Sequence, residues 1–155
     1  MYEYPAETTR AIVNMLSRNV LVPYPNLRVV VPHCGSFLPL AIPRMKSILP
    51  AMVGSGYMQP VDWEGNLSRL YYDLAGNPTV EVIRAMLTVT SPEHILFGSD
   101  YPYLPANVLL SNLSRLKATL AADRELLRYV EMFLWGNAAN LFNTSEALSK
   151  DDSTD

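Results

Sequence analysis

Three short apolar runs constrain this chain more than any other feature. Residues 27–31 read Leu-Arg-Val-Val-Val, residues 67–72 read Leu-Ser-Arg-Leu-Tyr-Tyr and residues 95–97 read Ile-Leu-Phe. β-Branched and aromatic residues in such runs suit buried strands. Around them apolar residues recur at helical spacing. Residues 7–18 place Ile12, Met15 and Leu16 on one helical face, and residues 37–52 suit a helix with Pro39 near its start and Pro43 arguing against its continuity. Asn77-Pro78 is an N-cap and first-turn pair for a helix with Val80, Ile83, Met86 and Leu87 inward. Leu109, Leu113, Leu116 and Leu120 form a further stripe, and Asp123 caps a helix carrying Leu126, Val130 and Phe133. Gly136-Asn137 reads as a break, with Asn137 capping a last turn through Leu141. Apolar strands alternating with amphipathic helices indicate a parallel sheet under helical cover, because parallel neighbours need long crossovers.

At 155 residues the chain is the size of one domain, and residues 144–155 read as a polar tail. Twelve Lys and Arg against fifteen Asp and Glu leave a charge of −3, which argues against a nucleic-acid partner. The single cysteine, Cys34, excludes a disulfide framework, and no Cys/His cluster has structural-zinc spacing. Residues 1–5 have neither the positive nor the apolar region of a secretory signal, and the uncharged stretch 29–43 holds Pro32, Pro39 and Pro43 and is too short to span a bilayer. A soluble, cytoplasmic protein without membrane contact is expected. Charged residues are 17% of the chain where about 25% is usual. Part of this surface is therefore expected to be covered, by a partner subunit in a homodimer or by more of a larger domain.

In parallel sheets, ligands meet the residues just beyond the strands' carboxyl ends. Those residues are Pro32-His33-Cys34-Gly35-Ser36, Asp73-Leu74-Ala75-Gly76 and Gly98-Ser99-Asp100-Tyr101-Pro102. His33 follows three valines, so a strand fixes its position, and an imidazole is the usual proton acceptor near neutral pH. Asp100 is either a turn residue or a catalytic or metal-binding carboxylate. Asp73 reads first as a turn residue. His94, at the opposite end of its strand, reads as structural. Cys34 adjoins His33, but with no second histidine or acidic orienter in evidence it reads as a small buried side chain. Gly54-Ser55-Gly56 lacks the lysine of a phosphate loop and reads as a turn.

Three segments together resemble one family. His33-Cys34-Gly35-Ser36-Phe37-Leu38-Pro39, with Arg44 beyond, resembles the His-Gly-Gly…Pro…Arg segment of the amidohydrolase-related proteins, metal-dependent hydrolases and carboxy-lyases typified by aminocarboxymuconate-semialdehyde decarboxylase. Residues 97–102 (Phe-Gly-Ser-Asp-Tyr-Pro) resemble that family's Gly-Ser/Thr-Asp-Tyr-Pro, and residues 136–142 its terminal Gly-Asn-Ala-x-x-Leu-Phe. The entry to the histidine strand, Tyr24-Pro25-Asn26-Leu27-Arg28, also fits. The resemblance implies a TIM-type (β/α)8 barrel, of which residues 1–143 would be the C-terminal part, about the last three parallel strands and their helices. It further implies His33 as the proton-transfer residue that activates a metal-bound water and Asp100 as a metal ligand that can also take a proton. Arg44 would hold a substrate carboxylate, and Asp73 would lie at the pocket. The cofactor implied is a divalent metal, zinc before manganese, and the substrate a small carboxylate-bearing or cyclic molecule.

The departures are specific. The family supplies a His-x-His pair from its first strand and a histidine from its fifth, whereas this chain has two histidines in all, His33 and His94. Cys34 stands where the family has glycine. A catalytic zinc site takes about three protein ligands, so the chain alone is expected to be inactive and to hold little or no metal. The alternative is a non-catalytic half-barrel that pairs with itself or another chain through open strand edges. An independent doubly wound binding domain would need a Gly-rich first turn, which His33-Cys34-Gly35-Ser36 is not.

Overall fold

The computed structural model describes residues 2–142, so the polar tail expected at 144–155 lies outside the described residues. The chain is α/β. Helix α1 (Glu3–Ser17) leads into strand β1 (Val29–Val31), followed by α2 (Leu38–Gly54), α3 (Trp63–Leu67), β2 (Leu70–Asp73), α4 (Val80–Met86), β3 (Ile95–Leu96), α5 (Ala106–Ala121) and α6 (Asn137–Leu141). The strands form a parallel sheet in the order β1-β2-β3. Val31 lies beside Tyr72, and Tyr72 beside Ile95.

Partner residues in a parallel register share a face, and successive residues alternate. Val31, Leu70, Tyr72 and Ile95 therefore point to one side, where all four are fully buried. They pack in one core with Ile12 and Leu16 of α1, Ile42 of α2, Ile83 and Met86 of α4, and Leu116 and Leu120 of α5. The other side presents Val30, which is 43% exposed, together with Tyr71 and Asp73. Helices thus cover one face of the sheet. β1 and β3 are edge strands among the described residues.

The helix expected at residues 37–52 is α2, and it runs through Pro43 and Pro50, both on its exposed side, while Leu38, Ile42 and Leu49 bury the other. Other local expectations are corrected. The strand expected from residue 67 begins at Leu70, since Asp62 accepts from the Gly65 N–H at 2.8 Å and caps the short α3. Asn77 does not cap α4. It has φ 57°, and its amide bonds Asn112 of α5 at 2.9 Å. Gly136 does not break the chain's last helical run either: its φ and ψ are −58° and −45°, and a wide π turn over Met132–Gly136 passes straight into α6. Asn137 is instead buried, donating to the carbonyls of Pro92 and Ile95 at 2.7 Å each, so it ties α6 to the start of β3. Asp123 does cap the turn after α5, accepting from the N–H groups of Glu125 and Leu126. No helix among the described residues is long and apolar enough to cross a membrane.

Candidate active site

Backbone conformation separates the strands' carboxyl ends from the rest of the molecule. Among the described residues six non-glycine residues have positive φ, and five lie just past a strand: His33, Cys34 and Ser36 after β1, Asn77 after β2 and Asp100 after β3. Each left-handed non-glycine residue costs about 1–2 kcal/mol, and such strain concentrates at functional sites.

The His33 turn shows how this strain is held. His33, Cys34, Gly35 and Ser36 all have φ between 54° and 75°, closed by the Ser36 N–H on the His33 carbonyl at 2.9 Å. Gly35 is required twice over, by its φ and because a Cβ there would meet Cδ1 of the buried Tyr72 ring at 2.8 Å. Thr9 of α1 accepts the Phe37 N–H at 3.0 Å, fixing the far end of the turn. The near end rests on Asp73: its Oδ1 accepts the His33 N–H at 2.8 Å, and its main-chain carbonyl accepts the Cys34 N–H at 2.9 Å. Gly76 has φ 90°, and a Cβ there would make only ordinary contact with His33 Nδ1, at 3.9 Å.

Asp73 is the central group. Its Oδ1 also accepts the Ala75 N–H at 3.1 Å. Burial raises its pKa, the two amide bonds and the His33 charge oppose that rise, and the Asp100 charge adds to it. Asp73 therefore feels both His33 and Asp100 at the carboxyl rim of the sheet. Asp100 sits in the left-handed region at φ 62°, its carbonyl accepting the Leu104 N–H at 3.2 Å. Burial, and then the Asp73 charge, push the Cys34 thiol up to about 12, so it remains a protonated packing group, as its sequence context suggests.

Arg44 is exposed on α2, and no hydrogen bond or ion pair joins it to His33, Asp73 or Asp100. His94 is structural: its Nδ1 lies 2.8 Å from the Leu70 carbonyl and its ring stacks on Tyr71 at 4.4 Å. The residue sequence reasoning undervalued is Asp73. Its only signal was its place at the end of β2, because the partner that ties it to the site, the His33 amide, lies 40 residues earlier in the chain.

Donor chemistry limits what these residues can hold. No group of three or more His, Cys, Asp or Glu able to bind a metal ion occurs among the described residues. The donors present do not make a complete metal site by themselves. The cavity at this rim, between Gly76, Asn77, Ser99 and Asn112, is about 10 Å³, room for one water, whereas substrate sites run to about 300–1,000 Å³. A larger groove lined by Asn14, Arg18, Asn19 and Tyr57 contains none of the candidate residues.

Residues 3–144 match the family model described as amidohydrolase. The chain belongs to the amidohydrolase family. It is 30% identical over 118 residues to 6-methylsalicylic acid decarboxylase of Penicillium expansum, covering 76% of this chain and 36% of that protein. It is 28% identical over 150 residues to 2-amino-3-carboxymuconate-6-semialdehyde decarboxylase of Caenorhabditis elegans, covering 93% and 35%. Among solved structures, a 5-carboxyvanillate decarboxylase of Novosphingobium aromaticivorans, complexed with manganese and 4-hydroxy-3-methoxy-5-nitrobenzoic acid, superposes with a TM-score of 0.73 at 21% identity, covering 91% of this chain and 40% of that one. That likeness is one of fold. The chain thus spans about a third of the length of these curated relatives.

Proposed function

We propose that this chain is the C-terminal part of a (β/α)8-barrel carboxy-lyase of the amidohydrolase family, acting on a small carboxylate-bearing ring. The convergence of His33, Asp73 and Asp100 at one rim, two of them in strained backbone conformations, carries the proposal. A sheet whose helices cover the face of Val31, Leu70, Tyr72 and Ile95, with edge strands on both sides among the described residues, supports reading it as a portion of a barrel. The names of the relatives favour carbon–carbon cleavage over hydrolysis.

Decarboxylation breaks the bond between ring carbon and carboxylate, and the carbon that loses CO2 takes up a proton. His33 is the group placed to carry that proton, on a turn that holds its backbone rigid. Among the described residues Asp100 is the one assigned to a divalent ion, and the remaining donors would come from outside them. Arg44 is assigned to the substrate carboxylate, which its planar guanidinium suits.

The test is a graft. Residues 3–142 replace the matching segment of the Penicillium expansum decarboxylase, and CO2 release from 6-methylsalicylate is measured. His33→Asn in the folded graft is expected to lower kcat by about 10²–10⁴-fold, the usual contribution of a positioned acid–base group. An active graft indifferent to His33→Asn contradicts the assignment. A self-associating chain whose folded graft is inactive would favour the non-catalytic half-barrel instead.

A further inference from the structure

We propose that Asp73 is the positioning residue of this site, the side chain that sets where His33 stands relative to Asp100. Both residues come from edge strands, and β2, which carries Asp73, lies between them. On one side the Asp73 carboxylate takes the His33 N–H at 2.8 Å, while the carbonyl of the same residue takes the Cys34 N–H at 2.9 Å. Two successive amides of a strained turn thus end on a single residue. The Ala75 N–H at 3.1 Å shares Oδ1 and fixes the carboxylate's orientation. On its other side the carboxylate lies against Gly98, two residues before Asp100. A Cβ at Gly98 would stand 2.7 Å from Asp73 Cγ and 2.9 Å from Oδ2. One side chain therefore touches the segments bearing both functional groups, and the bare α-carbon of Gly98 is what lets it fit.

The titratable groups around it are His33 and Cys34 from the β1 turn and Asp100 from the end of β3. The Asp73 acceptor makes the bond from the His33 amide the local restraint on a residue which would otherwise relax to negative φ. The inference takes from the proposed function only the reading of His33 and Asp100 as a pair.

The test is NMR of the full chain without metal or substrate. The chain has two histidines, so each imidazole is resolved, and His94, bonded to the Leu70 carbonyl and stacked on Tyr71, is an internal reference. Asp73→Ala is expected to speed exchange of the His33 amide at least about tenfold, the loss of one hydrogen bond. It should also move the His33 ring signals while those of His94 stay. Asp73→Asn keeps an acceptor oxygen in place and is expected to restore most of the protection and the ring signals. Should Asp73→Ala fail to fold, Gly98→Ala replaces it: displacing the carboxylate from the β3 side must disturb His33 on β1. Unchanged His33 exchange and ring signals in a folded Asp73→Ala or Gly98→Ala variant overturn the proposal, as does failure of Asp73→Asn to restore them. Neither outcome bears on the dependence of the graft on His33, so the two readings fail separately.

Discussion

Alanine placed at three glycines separates the two requirements at the His33 turn. Gly35 combines φ 75° with a methyl position 2.8 and 3.1 Å from two carbons of the Tyr72 ring. The left-handed backbone costs an alanine about 1–2 kcal/mol. Forcing a methyl against a ring with no exposed surface adds about 1–3 kcal/mol, so Gly35→Ala is expected to cost about 2–5 kcal/mol. Gly56 has φ 78° with nothing within 4 Å of its methyl position, and carries the first cost alone. Gly54, the last residue of α2, meets nothing within 4 Å either, and its substitution is expected to stay within about 0.5 kcal/mol of the wild type. Urea unfolding at fixed protein concentration reads the series. With a slope of about 2 kcal/mol/M, the midpoint of Gly35→Ala falls by about 1–2.5 M. Loss of the cooperative transition counts as the upper end. A Gly35→Ala midpoint equal to that of Gly56→Ala would refute the placement of Tyr72 beneath the turn.

Other consequences are separately measurable. Asn137→Ala takes the side-chain donor from the Ile95 carbonyl and from the part-buried Pro92 carbonyl, which keeps the Ile95 N–H, and is expected to cost about 1–3 kcal/mol in the same assay; a loss below about 0.5 kcal/mol would contradict the tie between α6 and β3. Cys34 should resist thiol reagents at pH 8 in the folded chain and react promptly once unfolded, because burial keeps it protonated. Its folded pKa, about 12, lies above the ordinary 9.0. The stability this group contributes is therefore full below pH 9 and declines as pH rises toward 12, and Cys34→Ala should flatten that decline. Equal thiol reactivity in folded and unfolded chain would contradict the buried placement.

The strand–helix alternation was legible because apolar composition decides it: the valines of β1, Leu70 with Tyr72, and Ile95 with Leu96 all lie in strands, although within β1 Val31 is buried and Val30 is exposed. His33 and Asp100 were legible as candidates because they follow strands directly. What the sequence hid depends on partners distant along the chain. Asn137 reads as a cap until β3 offers it two carbonyls, and Asp73 reads as a turn residue until the His33 and Cys34 amides arrive at it. Pro43 read as arguing against a continuous α2 for a related reason, since propensity is local and the apolar face that holds α2 together is not.

The most direct test of the central claim, that this rim is one side of a metal-dependent site completed by donors beyond these residues, is the metal content of the purified chain. Titration with zinc or manganese followed by elemental analysis is expected to find far less than one tightly held equivalent. A stoichiometric ion, lost in Asp100→Ala, would show that the chain makes a whole site on its own and would contradict the account.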